Sequence, residues 1–264
     1  MEKIAIITDS CSDLKEEYRK ENNIFVLPIQ ISCDGKTYRD GIDISSKEIY
    51  QLQKEQMLKT SSPVGQELFS LLESLKVNGY SHVIGIFLSA GISGTSNQMR
   101  LFCQSQEDLV CHIIDSKSAS VGLGIIAIEL AHYCQKGVTF EQAISYGEKL
   151  VEENYAYFSI DDLGFLQKGG RIGKASAFLG TTLKIKPILS FEKENGEIYV
   201  PSKVRGNKKV KSKLVELIEK HLGDHSHQKF ALAIADGNNL EERNELEKML
   251  KEKFPTFEYI IDGH

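Results

Sequence analysis

Three short segments rich in hydroxyl groups contain the residues best suited to binding an anion. They are Thr8–Ser10, Thr60–Pro63 and Ser89–Thr95. Each follows a predicted strand or precedes a predicted helix, and a helix N-terminus offers free backbone N–H groups and a partial positive charge. Gly91 and Gly94 would let a ligand approach the backbone closely. Because Ser, Thr and Asp are also preferred N-cap residues, capping stays an alternative for each segment.

Several catalytic motifs are missing from the sequence, including the phosphate-binding GxxxxGK[ST], the GxSxG elbow and HExxH. Asp9 follows a strand as a phosphotransferase nucleophile would, but no second carboxylate stands two residues on to hold magnesium. We therefore favour a capping or inter-domain hydrogen-bonding role for Asp9. The hydroxyl-rich segments are better suited to binding an anion than to catalysing its conversion. The alternative is a phosphatase-type or esterase-type enzyme that acts on a small metabolite through Asp9 or Ser93.

The composition is that of an ordinary globular protein, with 41% hydrophobic and 26% charged residues among 264. The formal net charge of −5 argues against nucleic acid as a partner, because nucleic-acid-binding proteins usually carry a basic excess. One basic run lies in the C-terminal part of the chain, and we interpret it as a solvated surface. Docking to an acidic protein or transient contact with a membrane is the alternative for this run, which contains Lys203, Arg205, Lys208, Lys209, Lys211 and Lys213.

The cysteines and the apolar runs predict a soluble protein of the cytoplasm. Five scattered cysteines without a CxxC motif fit reduced thiols better than disulfides or a zinc site. The apolar run Ile4–Ile7 is too short for a signal peptide. The longest uncharged stretch, Val77–Met99, contains four glycines and many polar residues, so it is a poor membrane span.

The periodicity up to about residue 158 predicts strands that alternate with helices. Such alternation is typical of a mostly parallel sheet with helices on its faces. Asp34-Gly35 predicts a tight hairpin, and Thr139 with Gln142 predicts a capping box at the start of a helix. The expected elements include strands at Lys3–Thr8, His82–Leu88 and Val110–Asp115 and helices at Ser93–Gln106, Ala119–Cys134 and Phe140–Glu153.

After Ser159 the pattern changes to a glycine-rich loop at Lys168–Gly173, a helix at Ala175–Leu183, and a hairpin that turns at Asn195-Gly196. A basic helix, a strand, a charged helix and a last strand follow. We therefore predict an α/β fold with two α/β domains, an N-terminal one over residues 1–158 and a C-terminal one over 159–264. The cleft or tunnel between the domains is the expected ligand site.

Taken together, these motifs resemble the DegV family of bacterial fatty-acid-binding proteins. The resemblance covers almost the entire chain, and it is the order and spacing of the motifs that make it specific. The matching segments are Thr8–Ser10, Thr60–Pro63, Ser89–Thr95, Ile114–Ser116, Asp162-Leu163 and Gly169–Ile172.

The resemblance implies two α/β domains that enclose one long-chain fatty acid, with its tail in an apolar tunnel. By position, Thr60, Ser61 and Ser93 would bind the carboxylate, with Gly94 close by. Arg171 would lie at the rim, near the head group and a partner protein.

The resemblance also implies that this chain is the acyl-binding subunit of a fatty acid kinase system, with no metal and no cofactor of its own. The partner kinase would form the acyl-phosphate that enters phospholipid synthesis. Family members continue past the last strand into a His-x-Gly-Pro-Gly segment, whereas this sequence stops at Asp262-Gly263-His264. We therefore do not expect His264 to take over the role of that segment's histidine.

Overall fold

The computed structural model describes residues 2–106, 108–180, 185–223, 230–255, 257 and 260–263. The strands are β1 (Ile4–Asp9), β2 (Ile24–Leu27), β3 (Gln30–Cys33), β4 (Lys36–Arg39), β5 (Lys59–Ser61), β6 (His82–Phe87), β7 (Val110–Asp115), β8 (Ile185–Phe191), β9 (Ile198–Arg205), β10 (Leu232–Ala235) and β11 (Ile260–Gly263). The α-helices are α1 (Glu16–Glu21), α2 (Ser46–Glu55), α3 (Gly65–Val77), α4 (Thr95–Cys103), α5 (Val121–Cys134), α6 (Phe140–Glu153), α7 (Gly164–Lys168), α8 (Val210–Leu222) and α9 (Leu240–Lys253).

A four-stranded parallel sheet with the strand order β2-β1-β6-β7 forms the centre of the N-terminal part, as the alternating pattern predicts. Both faces of the sheet are covered, which explains why β1 and β6 are almost continuously apolar. One core joins this sheet to α5 and α6, and the other joins it to α3 and α4. Because the four strands are parallel, the segments that follow β1, β6 and β7 all emerge at one edge of the sheet.

Strands β3, β4 and β5 form a small antiparallel sheet with the order β4-β3-β5. Asp34 and Gly35 both have a positive φ, 47° and 75°, and connect the paired residues Cys33 and Lys36. This is the two-residue turn that the Asp-Gly pair predicts. The chain then passes through α2 and returns as β5, which lies directly before α3.

Helix α5 separates the large sheet from the last two strands. Eight of its residues are buried, and it contacts β1 on one side and the parallel pair β10–β11 on another. A helix covered on more than one side has to be apolar around its circumference, as α5 is. Among the described residues, no helix is both long enough and apolar enough to span a membrane.

The antiparallel pair β8–β9 corrects one sequence prediction. Glu192 and Glu197 are joined by a backbone hydrogen bond of 2.9 Å, so the connection has four residues between them rather than a two-residue Asn-Gly turn. Gly196 has a φ of 70°, whereas Asn195 does not have the positive φ that a type I′ turn needs at both positions. The predicted helix Ala175–Leu183 is also wrong in its described part, where a 3₁₀ helix spans Gly173–Phe178; residues 181–184 lie outside the description.

The C-terminal part contributes to more than one apolar core. One core surrounds β8 and β9, and a second lies between α8, β10 and α9. Ile261 of β11 instead belongs to the core of the large sheet. The domain boundary at residues 158 and 159 stays a prediction.

Candidate functional site

The segment from Ser89, after β6, to Thr95, the first residue of α4, is held in place mainly by Ser89. This residue is fully buried, and its carbonyl oxygen accepts the N–H groups of Ile92 and Ser93, both at 3.1 Å. Its own N–H donates to the carbonyl oxygen of Ser118 at 2.8 Å, next to the end of β7. Ser93 is therefore fixed relative to the sheet edge by backbone hydrogen bonds.

Three hydroxyl groups form a chain that joins this segment to the residue after β5. The Thr95 hydroxyl donates to Ser62 Oγ at 3.0 Å and lies 2.9 Å from Ser93 Oγ. Because the single proton of Thr95 is used toward Ser62, the Ser93 hydroxyl is the donor in the second bond. The Ser62 proton then remains for a further acceptor, and Ser62 and Ser93 are both partly exposed.

Thr60 and Ser61 are exposed residues of the short strand β5, opposite Ile31 and Gln30 of β3. The side chains of consecutive strand residues point to opposite faces of the sheet. At most one of these two hydroxyl groups can therefore point toward Ser93. The described hydrogen bond between the two segments is made by Ser62. Capping is also not the role of these hydroxyls, because the N-cap of α3 is Val64 and has no side-chain hydrogen bond.

Gly94 is the N-cap of α4, and it is exposed. A methyl group at this position would meet nothing within 4 Å, so the space above its Cα is open. The first turn of α4 contains no acidic residue. No carboxylate within that turn therefore opposes the partial positive charge of the helix N-terminus, although Asp115 accepts the N–H of Ala90 at 2.9 Å earlier in the segment.

Arg171 connects the glycine-rich loop to the segment 89–95. Its Nε donates to the carbonyl oxygen of Ile92 at 3.2 Å, and its guanidinium also donates to the carbonyl oxygen of Gly169. The side chain is exposed. The structure therefore places Arg171 against the residue that precedes Ser93.

An apolar cluster adjoins these polar groups. Its buried members are Ala175, Leu189 and Ile198, and Ile92 packs against it from the N-terminal part. Seven further apolar side chains are only partly buried against this cluster: Phe158, Ile160, Leu163, Leu166, Ile172, Phe191 and Val200. Polar donors and a partly exposed apolar surface thus meet at Ile92.

Asp9 and Asp13 belong to a different, closed arrangement. The two carboxylate oxygens of Asp9 accept the N–H groups of Cys11 and Leu88, each at 3.0 Å, and the side chain is fully buried. The predicted capping role of Asp9 is therefore confirmed, for the 3₁₀ helix Ser10–Ser12. Burial raises the pKa of Asp9 to about 6, although these hydrogen bonds oppose the rise. Burial also raises the pKa of Asp13 to about 7, against the opposing hydrogen bond from Ser120.

Other candidate features lie elsewhere. Among the described residues, no group of three or more His, Cys, Asp or Glu side chains could hold a metal ion. Depressions of about 330 Å³ beside α2 and about 310 Å³ between β2 and α3 include none of the predicted site residues. In the basic run, four side chains are exposed, which fits the solvated surface that we predict: Lys203, Arg205, Lys208 and Lys209. Lys211 and Lys213 are partly buried and pair with Glu245 at 2.6 Å and Glu216 at 2.5 Å.

Sequence reasoning overlooked Ser62, Thr95 and the central role of Ser89. All three lie inside the hydroxyl-rich motifs, so residue type did identify the segments. The missing information was which hydroxyl groups face each other, and that depends on how β5 and α4 pack.

The fold and this arrangement define a class: an α/β protein with a parallel sheet whose hydroxyl-rich edge meets a glycine-rich loop from the C-terminal part. The sequence profile of a family described as "Uncharacterised protein, DegV family" matches residues 3–263. A DegV domain-containing protein of Clostridium acetobutylicum is 36% identical over 252 residues, which cover 96% of this chain and 88% of the relative. This chain therefore belongs to the DegV family.

Solved structures of similar proteins share the fold. DegV from Bacillus subtilis, described as a fatty acid binding protein, matches with a TM-score of 0.88 and 31% identity, over 99% of this chain and 92% of that one. A stearic acid-binding protein from Eubacterium ventriosum matches with a TM-score of 0.86 and 27% identity, over 97% of this chain and 89% of that one.

Proposed function

We propose that this protein binds one long-chain fatty acid and holds its carboxylate at the hydroxyl chain of Ser62, Thr95 and Ser93. The observation that carries the proposal is the junction at Ile92, where these donors adjoin a partly exposed apolar cluster. Fatty acid binding by the related proteins of B. subtilis and E. ventriosum supports it.

The energetics of such a ligand are consistent with this junction. Each buried methylene contributes about 0.8 kcal/mol, so a tail of about 14 methylenes contributes roughly 11 kcal/mol before costs. Removing a carboxylate from water costs several kcal/mol unless donors meet it. The tail therefore supplies affinity, and the hydroxyl groups with the N-terminus of α4 fix its direction. Of the predicted carboxylate ligands we retain Ser93, Gly94 and one of the pair Thr60 and Ser61, and we add Ser62.

We further propose that the bound carboxylate is presented to a fatty acid kinase, which performs the chemistry. The exposed Arg171 beside Ile92 is suited to contact both the head group and such a partner. The buried, doubly hydrogen-bonded Asp9 is poorly placed for the alternative enzymatic role. A cytoplasmic location fits the five free thiols.

Mass spectrometry of a solvent extract of the purified protein tests this proposal. We expect one long-chain fatty acid per chain. If no lipid is extracted and the protein also fails to bind added hexadecanoic acid, the proposal is wrong. Phosphatase or esterase turnover that is lost in Ser93→Ala would favour the enzyme instead.

A further inference from the structure

The four-residue connection between β8 and β9, residues 193–196, directly contacts the segment that contains Ser93. The Ser89 hydroxyl donates to the carbonyl oxygen of Gly196 at 2.7 Å, inside the protein. The same hydroxyl accepts the N–H of Gly91 at 3.2 Å. One buried side chain thus joins this connection, which we call the 193–196 turn, to the segment that contains Ser93.

Close packing at this contact leaves room only for glycine at positions 91 and 196. A methyl group on Gly196 would overlap the Ser89 hydroxyl, and one on Gly91 would overlap the backbone of Asn195 and Gly196. Gly196 also has a φ of 70°, a backbone conformation that residues other than glycine rarely adopt. The two backbones therefore touch directly, and a shift of the turn is transmitted to residues 89–93 without a flexible side chain between them.

Lys193 anchors the other end of the turn. Its ammonium group donates to the carbonyl oxygens of Val151 and Glu152 at 2.9 Å each and to that of Asn154, at the C-terminal end of α6. It also lies 4.0 Å from the centre of the Tyr155 ring. A cation at the C-terminal end of a helix is favoured by the helix dipole. Lys117 in turn donates to the carbonyl oxygen of Lys193.

The Lys193 side chain is partly buried. Burial, assisted by the positive charge of Lys117 and opposed by Glu152, lowers the pKa of Lys193 to about 8. A partly buried lysine that satisfies three carbonyl groups is an unusual feature for a simple hairpin connection. Its position indicates that the turn has to be held firmly at α6.

We propose that the 193–196 turn is a positioning element for the carboxylate site: anchored by Lys193, it fixes Ser93 through Gly196 and Ser89. The inference rests on the proposed function, because it assigns the selectivity for a carboxylate head group to this contact. It predicts that displacing the turn impairs recognition of the head group and leaves binding of the tail intact.

The experiment compares two probes, hexadecanoic acid and hexadecan-1-ol, in the purified full chain. They share a tail and differ in the charged head group. We expect Gly196→Ala to bind the acid roughly tenfold more weakly, which corresponds to losing one charge-assisted hydrogen bond, and to bind the alcohol as the parent protein does. Gly206→Ala is the matched control, because Gly206 also has a positive φ, 83°, but a methyl group there meets nothing within 4 Å.

Two further variants keep the inference testable if Gly196→Ala folds poorly. Ser89→Ala removes the hydroxyl group that joins the turn to residues 89–93, so it should also reduce the preference for the acid. Lys193→Met should reduce that preference while Gly206→Ala retains it. If Gly196→Ala and Lys193→Met weaken both probes equally, or leave the preference for the acid unchanged, the positioning role is wrong. A parent protein that binds neither probe, or shows no preference, would instead contradict the proposed function.

Discussion

The segments that follow β1 and β6 emerge at the same edge of the parallel sheet and have similar compositions, but their polar groups are engaged differently. After β1, both oxygens of Asp9 accept backbone N–H groups, and the Ser10 hydroxyl accepts the N–H of Ile29 at 3.1 Å. After β6, the Ser93 and Thr95 hydroxyls bond mainly to each other and to Ser62. A carboxylate needs hydrogen-bond donors, and in this second group the Ser62 proton is unused while the Ser93 proton can turn from Thr95 to a ligand. Similar residues thus have their hydrogen bonds satisfied within the protein after β1, whereas after β6 they form an open candidate site.

The largest effect that we expect is on the stability of the protein, when Asp13 in the closed segment is replaced. Its native pKa of about 7 lies above the ordinary value of 3.8, so the native state binds more protons than the unfolded state between these values. The free energy of unfolding therefore falls as the pH rises from 4 to 7, by at most about 4 kcal/mol for this residue. Asp13→Asn should remove that part of the fall, because Asn can still accept the Ser120 hydroxyl and tolerates the φ of 49°.

Urea unfolding of Asp13→Asn at several pH values measures this. Asp34→Asn is the control, since Asp34 is exposed and has a similar φ of 47°. An unchanged slope of stability against pH in Asp13→Asn would show that this carboxyl group is not protonated in the native state at neutral pH.

Asp9→Asn should have the next largest effect. An amide provides one acceptor oxygen where the carboxylate provides two, so its NH₂ group would face the N–H of either Cys11 or Leu88. Leaving one such buried donor unsatisfied costs about 1–3 kcal/mol of unfolding free energy. Chemical denaturation measures the loss. An enzymatic role for Asp9 would predict lost turnover in a variant of normal stability.

Ser93→Ala, in the open segment, should lower the affinity for a fatty acid and also reduce stability, because Ser93 Oγ accepts the N–H of Thr95 at 3.3 Å. We expect the Ser93 proton to turn from Thr95 to the bound carboxylate, and losing that charge-assisted hydrogen bond is worth about 1.5–3 kcal/mol, or roughly tenfold or more in affinity. Titration with a fluorescent fatty acid measures this, and Ser62→Ala should weaken binding in the same direction. Unchanged affinity in both variants would mean that the carboxylate is bound elsewhere.

Arg171→Ala should have the smallest effect on lipid binding. The side chain is exposed, and it contacts the site through the Ile92 carbonyl group. We expect kinase-dependent turnover of the bound fatty acid to fall more than lipid retention does. Equal losses in a turnover assay and in a lipid-extraction assay would contradict the assignment of Arg171 to the rim.

Local patterns predicted most elements of the fold. Strand β7 and helix α6 occur at the predicted bounds, and the capping box of Thr139 and Gln142 is present. The Asn195-Gly196 turn was predicted wrongly, because its conformation follows from packing against Ser89 and Gly91, which are about a hundred positions away in the chain. The placement of Thr60 in an edge strand likewise depends on pairing with β3.

The sequence by itself determined which segments carry hydroxyl groups, where most of the strands and helices lie, and that the chain resembles its family, because these depend on residue type and local periodicity. Only the tertiary structure decided which polar groups are satisfied by the protein and which remain open. Hydrogen-bond satisfaction is a property of pairs of groups brought together by packing, as Asp9 with Leu88 and Ser62 with Thr95 illustrate. The division between the closed segment and the open candidate site was therefore set by contacts between segments distant in sequence.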